Sequence, residues 1–209
     1  MIRIKICGLR RKQDIEWINF LKVDYAGFVF AESRRRVYLK EAERLVALLE
    51  KGIKKVGVFV NQNPDFVKGV CSALGIDVIQ LHGDEGQKEI ESYLGLGFEV
   101  WKAIRIKDKS DLISAFEYRV DGILLDAAVR GMYGGTGRTF NWDILKGAYF
   151  KNKIILAGGL DPQNVGFAIT KVKPFAVDVS SGVETEGYKD FFKMKEFVER
   201  VRRFGKHDR

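Results

Sequence analysis

Short apolar and β-branched runs recur along the chain at 2–6, 24–30, 55–60, 77–81, 98–104, 121–125, 153–156 and 175–179. Runs of this length, bounded by polar and glycine residues, predict strands. Their starts lie about 25 residues apart, the length of a strand, a helix and two loops. Between them the apolar residues take helical spacing. Leu39, Ala42, Leu45, Val46 and Leu49 share one helix face. Asn63 and Pro64 supply a cap and a proline at the first helical position, ahead of Phe66, Val67, Val70, Cys71 and Leu74. Asp161 and Pro162 are expected to do the same ahead of Val165, Ala168 and Ile169. A last helix is expected from about Asp190, with Phe191, Met194, Val198 and Val201 on one face.

Eight strands alternating with eight helices predict a parallel sheet covered by helices. Eight is also the number at which such a sheet closes on a packed interior. The expected fold class is therefore α/β, a (β/α)8 TIM barrel spanning residues 1–209 as one domain. Active sites of this fold sit at the C-terminal ends of the strands. The informative residues are then those that follow each strand.

Composition narrows the partners. The chain has 209 residues, 46% hydrophobic and 31% charged, which suits a globular protein and not a disordered one. A net charge of +8 favours an anionic partner: a phosphorylated metabolite, a nucleic acid or a membrane surface. Nucleic-acid binding calls for clustered Lys and Arg interleaved with exposed aromatics. Here the basic residues are scattered, and only Arg34, Arg35 and Arg36 form a tight cluster, so no nucleic-acid partner is expected. No apolar run reaches 18 residues, so no membrane partner is expected. The start MIRIKICGLR lacks the basic and apolar regions of a secretory signal, so a cytoplasmic location is expected. Two cysteines and two histidines make a disulfide framework and a Cys/His zinc site improbable, and no metal is expected.

Strand seven runs into Gly158 and Gly159, and strand eight into Ser180, Ser181 and Gly182. Glycines let backbone N–H groups approach an anion, and serines add hydroxyl donors. Loops after strands seven and eight are the recurrent phosphate site of this fold. Asp126 ends an apolar strand, where poor hydration suits a general acid. Cys7 ends strand one on the same pleat face as Arg3 and Lys5, and serves as base or nucleophile if nearby cations favour its thiolate. Lys5 is expected to meet Asp178 as a structural pair, and Lys102 to face Asp126. Gln80 and His82 follow strand four as polar site candidates. The Arg34, Arg35 and Arg36 run suits a carboxylate clamp. Gly134, Gly135, Thr136 and Gly137 lack the P-loop ending and read as a flexible lid. His207 lies in a charged tail expected to fray.

Together these residues resemble the phosphoribosylanthranilate isomerase family of tryptophan biosynthesis. The matching segments are KICG at 5–8, DYAGFVFAESRRRV at 24–37, VGVFVN at 56–61 and IQLHG at 79–83. They continue with ILLDA at 123–127, GGTGRTFNW at 134–142, ILAGGLDPQNV at 155–165 and FAVDVSSGVE at 175–184. The resemblance implies an Amadori rearrangement of N-(5-phospho-β-D-ribosyl)anthranilate to 1-(2-carboxyphenylamino)-1-deoxy-D-ribulose 5-phosphate, without cofactor. It implies Cys7 as general base and Asp126 as general acid. Arg35, two residues after Ser33, is implied as the carboxylate ligand, with adjacent Arg36 the alternative. Gln80, His82 and Asp178 complete the expected substrate set, with phosphate on Gly158, Gly159, Ser180, Ser181 and Gly182. Both monomer and homodimer stay open.

Three other phosphosugar enzymes fit less well. Indole-glycerol-phosphate synthase is expected to need a lysine acid and a longer N-terminus. Ribulose-phosphate epimerase is expected to need histidine metal ligands, and only His82 is well placed. A histidine-pathway isomerase is expected to carry aspartate in place of Cys7. Arg10 departs from the small polar residue the family pattern would put there.

Overall fold

A computed structural model describes residues 1–127 and 139–205. Eight parallel strands lie at its centre: β1 (Arg3–Cys7), β2 (Tyr25–Val29), β3 (Lys54–Phe59), β4 (Val78–Leu81), β5 (Glu99–Ile106), β6 (Gly122–Ala127), β7 (Lys153–Leu156) and β8 (Ala176–Val179). Neighbours follow chain order and β8 returns to β1, so the barrel closes. The closing register sets Ile4 beside Val177 and Lys5 beside Asp178. Helices α1 (Lys12–Leu21), α2 (Leu39–Val46), α3 (Pro64–Leu74), α4 (Gln87–Glu91), α5 (Asp111–Glu117), α6 (Val165–Val172) and α7 (Phe191–Phe204) accompany the strands. Among the described residues no helix is long and apolar enough to cross a membrane.

Period-two alternation divides the barrel residues into two layers. Ile4, Ile6, Phe28, Ile79, Ile104 and Leu125 belong to a core shared with buried helix residues such as Ile15, Val67 and Val198. Tyr25, Val56, Val78, Trp101, Leu124 and Ile155 fill the interior. The Tyr25 and Trp101 rings meet edge-on there, with centroids 5.0 Å apart. This packed floor confines any ligand to the mouth above it.

The N-terminal rim has its own device. Asp24, Asp77 and Asp121 stand immediately before β2, β4 and β6. Each carboxylate accepts a backbone N–H of the preceding odd-numbered strand: Ile4 at 2.9 Å, Lys55 at 2.7 Å and Val100 at 2.8 Å. These aspartates fell inside the predicted strands, yet they act as caps at their edges.

Two expected helices differ. Between β6 and β7 the described residues hold a single 3₁₀ turn (Trp142–Leu145) in place of an eighth α-helix. Asn141 caps it through Asp143 N, and the backbone is already extended at Lys146, which leaves room for one turn. Helix α6 starts after the Asp161-Pro162 pair, at Val165. Asp161 and Asn164 each accept the other's backbone N–H, at 2.8 and 3.0 Å, and so close a separate turn first. Asn63 and Pro64 open α3 as expected, with Asn63 accepting from Asp65 N at 2.8 Å. Asp190 caps α7 through Phe192 N and Lys193 N. The expected lid at Gly134 to Gly137, and His207, lie outside the described residues.

Lys102 does not face Asp126. Its β5 neighbours Trp101 and Ala103 point inward, as does Leu124 two residues before Asp126, so Lys102 points to the opposite side of the sheet. There its ammonium donates to Gly83 O at 2.7 Å and to Glu85 Oε2 at 2.9 Å. Glu85 also accepts from Asn61 N and Gly83 N. Both side chains are almost wholly buried. Breaking a buried pair strands the surviving charge, at a cost of about 3–5 kcal/mol. Lys102→Met is expected to lower unfolding free energy by that amount in urea titrations. A loss under about 1 kcal/mol would assign this pair no role in holding the β4 loop.

Candidate active site

A cavity of about 310 Å³ opens at the C-terminal ends of the strands. Cys7, Arg35, His82, Asp126, Asp178 and Ser181 all line it. Cys7 ends β1 and Asp126 lies near the end of β6, three positions apart round the barrel, so thiol and carboxyl stand on different walls.

Beneath Cys7 lies a buried ion pair, Lys5 Nζ to Asp178 Oδ2 at 2.9 Å. Burial pushes the Cys7 thiol above its ordinary value, and Asp178 acts in the same sense. Lys5 and Lys189 oppose them by favouring the thiolate. Burial works against the Lys5 ammonium as well, yet Asp178 and Cys7 hold its pKa above the usual lysine value. Cys71, buried in α3, is pushed up to about 12 by burial alone, as an inert core thiol should be. Among the described residues Asp178 Oδ1 is buried without a hydrogen-bond partner, although its residue lines the cavity. An unpaired buried acceptor of this kind is costly unless something fills it.

Across the mouth, Asp126 Oδ1 accepts from Ala127 N at 2.8 Å. Its Oδ2 lies 3.1 Å from His82 Nε2, and His82 Nδ1 lies 2.9 Å from Gln80 Nε2. With the amide nitrogen facing Nδ1, the imidazole proton sits on Nε2 and is donated to Asp126. Gln80 Oε1 has no partner. Turning that amide over would present Gln80 Oε1 to His82 Nδ1–H and make His82 Nε2 an acceptor. Gln80, His82 and Asp126 thus form one hydrogen-bonded chain along the cavity wall.

Gly158 and Gly159 turn the chain out of β7 at φ values of 79° and 62°, a region L side chains avoid. Among the described residues neither donates its N–H to a backbone acceptor. Ser180 and Ser181 border the same space after β8. Ser180 Oγ donates to Cys7 O at 3.0 Å, which ties this loop to β1. Gly182 stays behind the wall, packed against Leu160 O so closely that no side chain fits.

The two candidate arginines separate. Arg35 lines the cavity, with Glu184 on its Nε and Nη2 at 2.8 and 2.7 Å. Arg36 turns away, bonded to exposed Glu32 at 2.6 Å and stacked over Tyr38 at 4.9 Å.

These walls carry a thiol, a carboxyl, a guanidinium and two loops rich in glycine and serine around one cavity. Residues 4–200 match the family model for N-(5'phosphoribosyl)anthranilate (PRA) isomerase. The chain belongs to the phosphoribosylanthranilate isomerase family. It is 55% identical to N-(5'-phosphoribosyl)anthranilate isomerase of Thermoanaerobacter sp. (strain X514), over 97% of this chain and 98% of that one. The crystal structure of phosphoribosyl anthranilate isomerase from Thermotoga maritima superposes with a TM-score of 0.89 at 35% identity, covering 97% and 99% of the two chains. A further isomerase structure, in complex with reduced 1-(o-carboxyphenylamino)-1-deoxyribulose 5-phosphate, gives a TM-score of 0.84 at 34% identity, covering 97% and 99%.

Sequence reasoning missed two polar residues of this isomerase fold, Glu184 and Lys189. They sit on a small antiparallel hairpin between β8 and α7, formed by β9 (Glu184–Thr185) and β10 (Tyr188–Lys189). Its turn, Glu186 and Gly187 at φ 53° and 79°, is the two-residue X-Gly signal of a tight hairpin. That signal was present in ETEGYKD and would have found the element.

Proposed function

We propose that Cys7 and Asp126 act as base and acid in the isomerisation for which the family is named. The chain is an isomerase of N-(5'-phosphoribosyl)anthranilate in tryptophan biosynthesis. The observation that carries the residue assignment is that a thiol and a carboxyl line one cavity from different walls. In this reading residues 1–209 form one catalytic domain of a cytoplasmic enzyme. Its partner is the small phosphosugar substrate, and the described site residues come from one chain.

The carboxyl of Asp126 gives its proton to the ribose ring oxygen. The C1–O bond breaks as the anilino nitrogen lone pair forms an iminium. The iminium acidifies the C2 hydrogen, which the Cys7 thiolate removes to give an enolamine. A proton added at C1 and the loss of that on the C2 hydroxyl give the aminoketose. Two protons enter and two leave, so the step is a net isomerisation. Positioning acid and base in opposite protonation states around one substrate is the physical requirement.

Remote binding energy holds the sugar in register. We assign the phosphate to Gly158, Gly159, Ser180, Ser181 and Gly182, the last of these through its backbone. The sugar hydroxyls fall to Gln80, His82 and Asp178, whose Oδ1 has no hydrogen-bond partner among the described residues. The anthranilate carboxylate falls to Arg35. Two charge-assisted bonds of about 1.5 kcal/mol each correspond to roughly a hundredfold in affinity. Arg35→Ala is therefore expected to raise KM roughly a hundredfold. Arg36→Ala, an exposed ion pair, should stay within about threefold. Loss of anthranilate-conjugate fluorescence measures both, and equal effects would remove the assignment.

A further inference from the structure

The hairpin after β8 is not required to close the barrel, yet it holds the most concentrated buried charge near the site. Glu184 takes three hydrogen bonds: two from Arg35, at 2.8 and 2.7 Å, and one from Lys189 Nζ at 2.7 Å. The side chains of Arg35, Glu184 and Lys189 are only 12%, 8% and 1% exposed. Lys189 also donates to Ser180 O at 3.0 Å, and Ser180 is the residue bonded to Cys7 O.

The hairpin itself is pinned. Arg10 donates to Arg34 O at 2.7 Å and Gly187 O at 2.6 Å, and Arg11 donates to Lys189 O at 2.8 Å. Both guanidiniums lie over the Tyr188 ring, at 5.1 and 4.8 Å. The loop after β1, the loop after β2 and the hairpin are thereby one unit. Arg10, which departs from the family pattern, is its central tie.

A guanidinium offers two edges for bidentate carboxylate binding, Nε with Nη2 and Nη1 with Nη2. Glu184 occupies the first. Among the described residues the second edge takes no carboxylate, and it is the edge available to a ligand in the cavity that Arg35 lines. Rotating the guanidinium to any other pose would break two of the three bonds to Glu184. The trio carries a net charge of one positive, so Glu184 orients Arg35 without cancelling the field of both cations.

We propose that Glu184 is a specificity-determining positioning residue, which fixes Arg35 so that its free edge meets the anthranilate carboxylate. This rests on the reading of Arg35 as the carboxylate ligand. Glu184 acts through Arg35 and touches no substrate itself.

The test compares two substrates, N-(5-phosphoribosyl)anthranilate and N-(5-phosphoribosyl)aniline, which lacks the carboxylate. Wild type, Glu184→Gln, Arg35→Ala and the double variant are assayed for kcat and KM. Glu184→Gln is expected to raise KM for the anthranilate substrate roughly 10- to 100-fold, the cost of misplacing a positioning group. Its kcat, and its KM for the aniline substrate, should hold within a few-fold. In the Arg35→Ala background, Glu184→Gln should cost no further discrimination, because coupled residues are not additive. Equal loss on both substrates would make Glu184 merely structural and overturn the inference. If Arg35→Ala discriminates and Glu184→Gln does not, the carboxylate reading stands and this inference falls. If Arg35→Ala costs both substrates equally, both fall together. Should Glu184→Gln fail to fold, Glu184→Asp keeps the charges paired at a shorter reach and carries the same readout.

Discussion

Replacing Cys7 by alanine is expected to lower kcat by about 10²–10⁴-fold, the usual contribution of a positioned base. Affinity for the reduced product should persist, because the loops and the arginine proposed to bind it are untouched. The pH dependence supplies a second signature. A base at this position works as thiolate, and burial holds the Cys7 thiol above its ordinary value. In the wild type kcat/KM should therefore climb as pH rises into the alkaline range. In Cys7→Ala that limb should vanish. Lys5 and Lys189 are the groups that keep the limb from moving higher still, since both favour the ionised sulfur. A variant with near-normal kcat in the fluorescence assay would exclude Cys7 as the base.

Asp126→Asn is expected to show a loss of similar size, about 10²–10⁴-fold in kcat, for a different reason. Asparagine keeps the shape and can still accept from Ala127 N, but it has no proton to give to the ring oxygen. Ring opening then lacks its acid, while substrate binding is preserved. The expected pattern is a fall in kcat with KM within a few-fold. His82, 3.1 Å from this carboxyl, would keep a hydrogen-bonding partner in the variant. A large rise in KM with kcat unchanged would recast Asp126 as a binding group.

The barrel was legible because its signal is repetitive. Buried parallel strands read as continuous apolar runs, and helices as stripes between them. The mouth was legible where a chemical residue stands at the C-terminal end of a strand, as with Cys7 and Asp126. Lys102 was misread because the inference matched charge to charge without counting pleats. Its neighbours Trp101 and Ala103 point inward, so it points away from Asp126. Asp161-Pro162 resembled a helix start but closes a turn with Asn164 first. Glu184 and Lys189 were hidden for another reason. In ETEGYKD they look like solvated loop charges, and only pairing with Arg35, 149 positions from Glu184 and brought close by closure of the barrel, reveals them as buried.

Closure of β8 onto β1 has a bearing on biogenesis. Lys5 and Asp178 are 173 positions apart, and Ser180 bonds to Cys7 across the same distance. A nascent polypeptide that has emerged only as far as β7 lacks the carboxylate partner of Lys5 under the sulfur and the serine loop after β8. On this geometry, turnover is expected only once synthesis has passed β8.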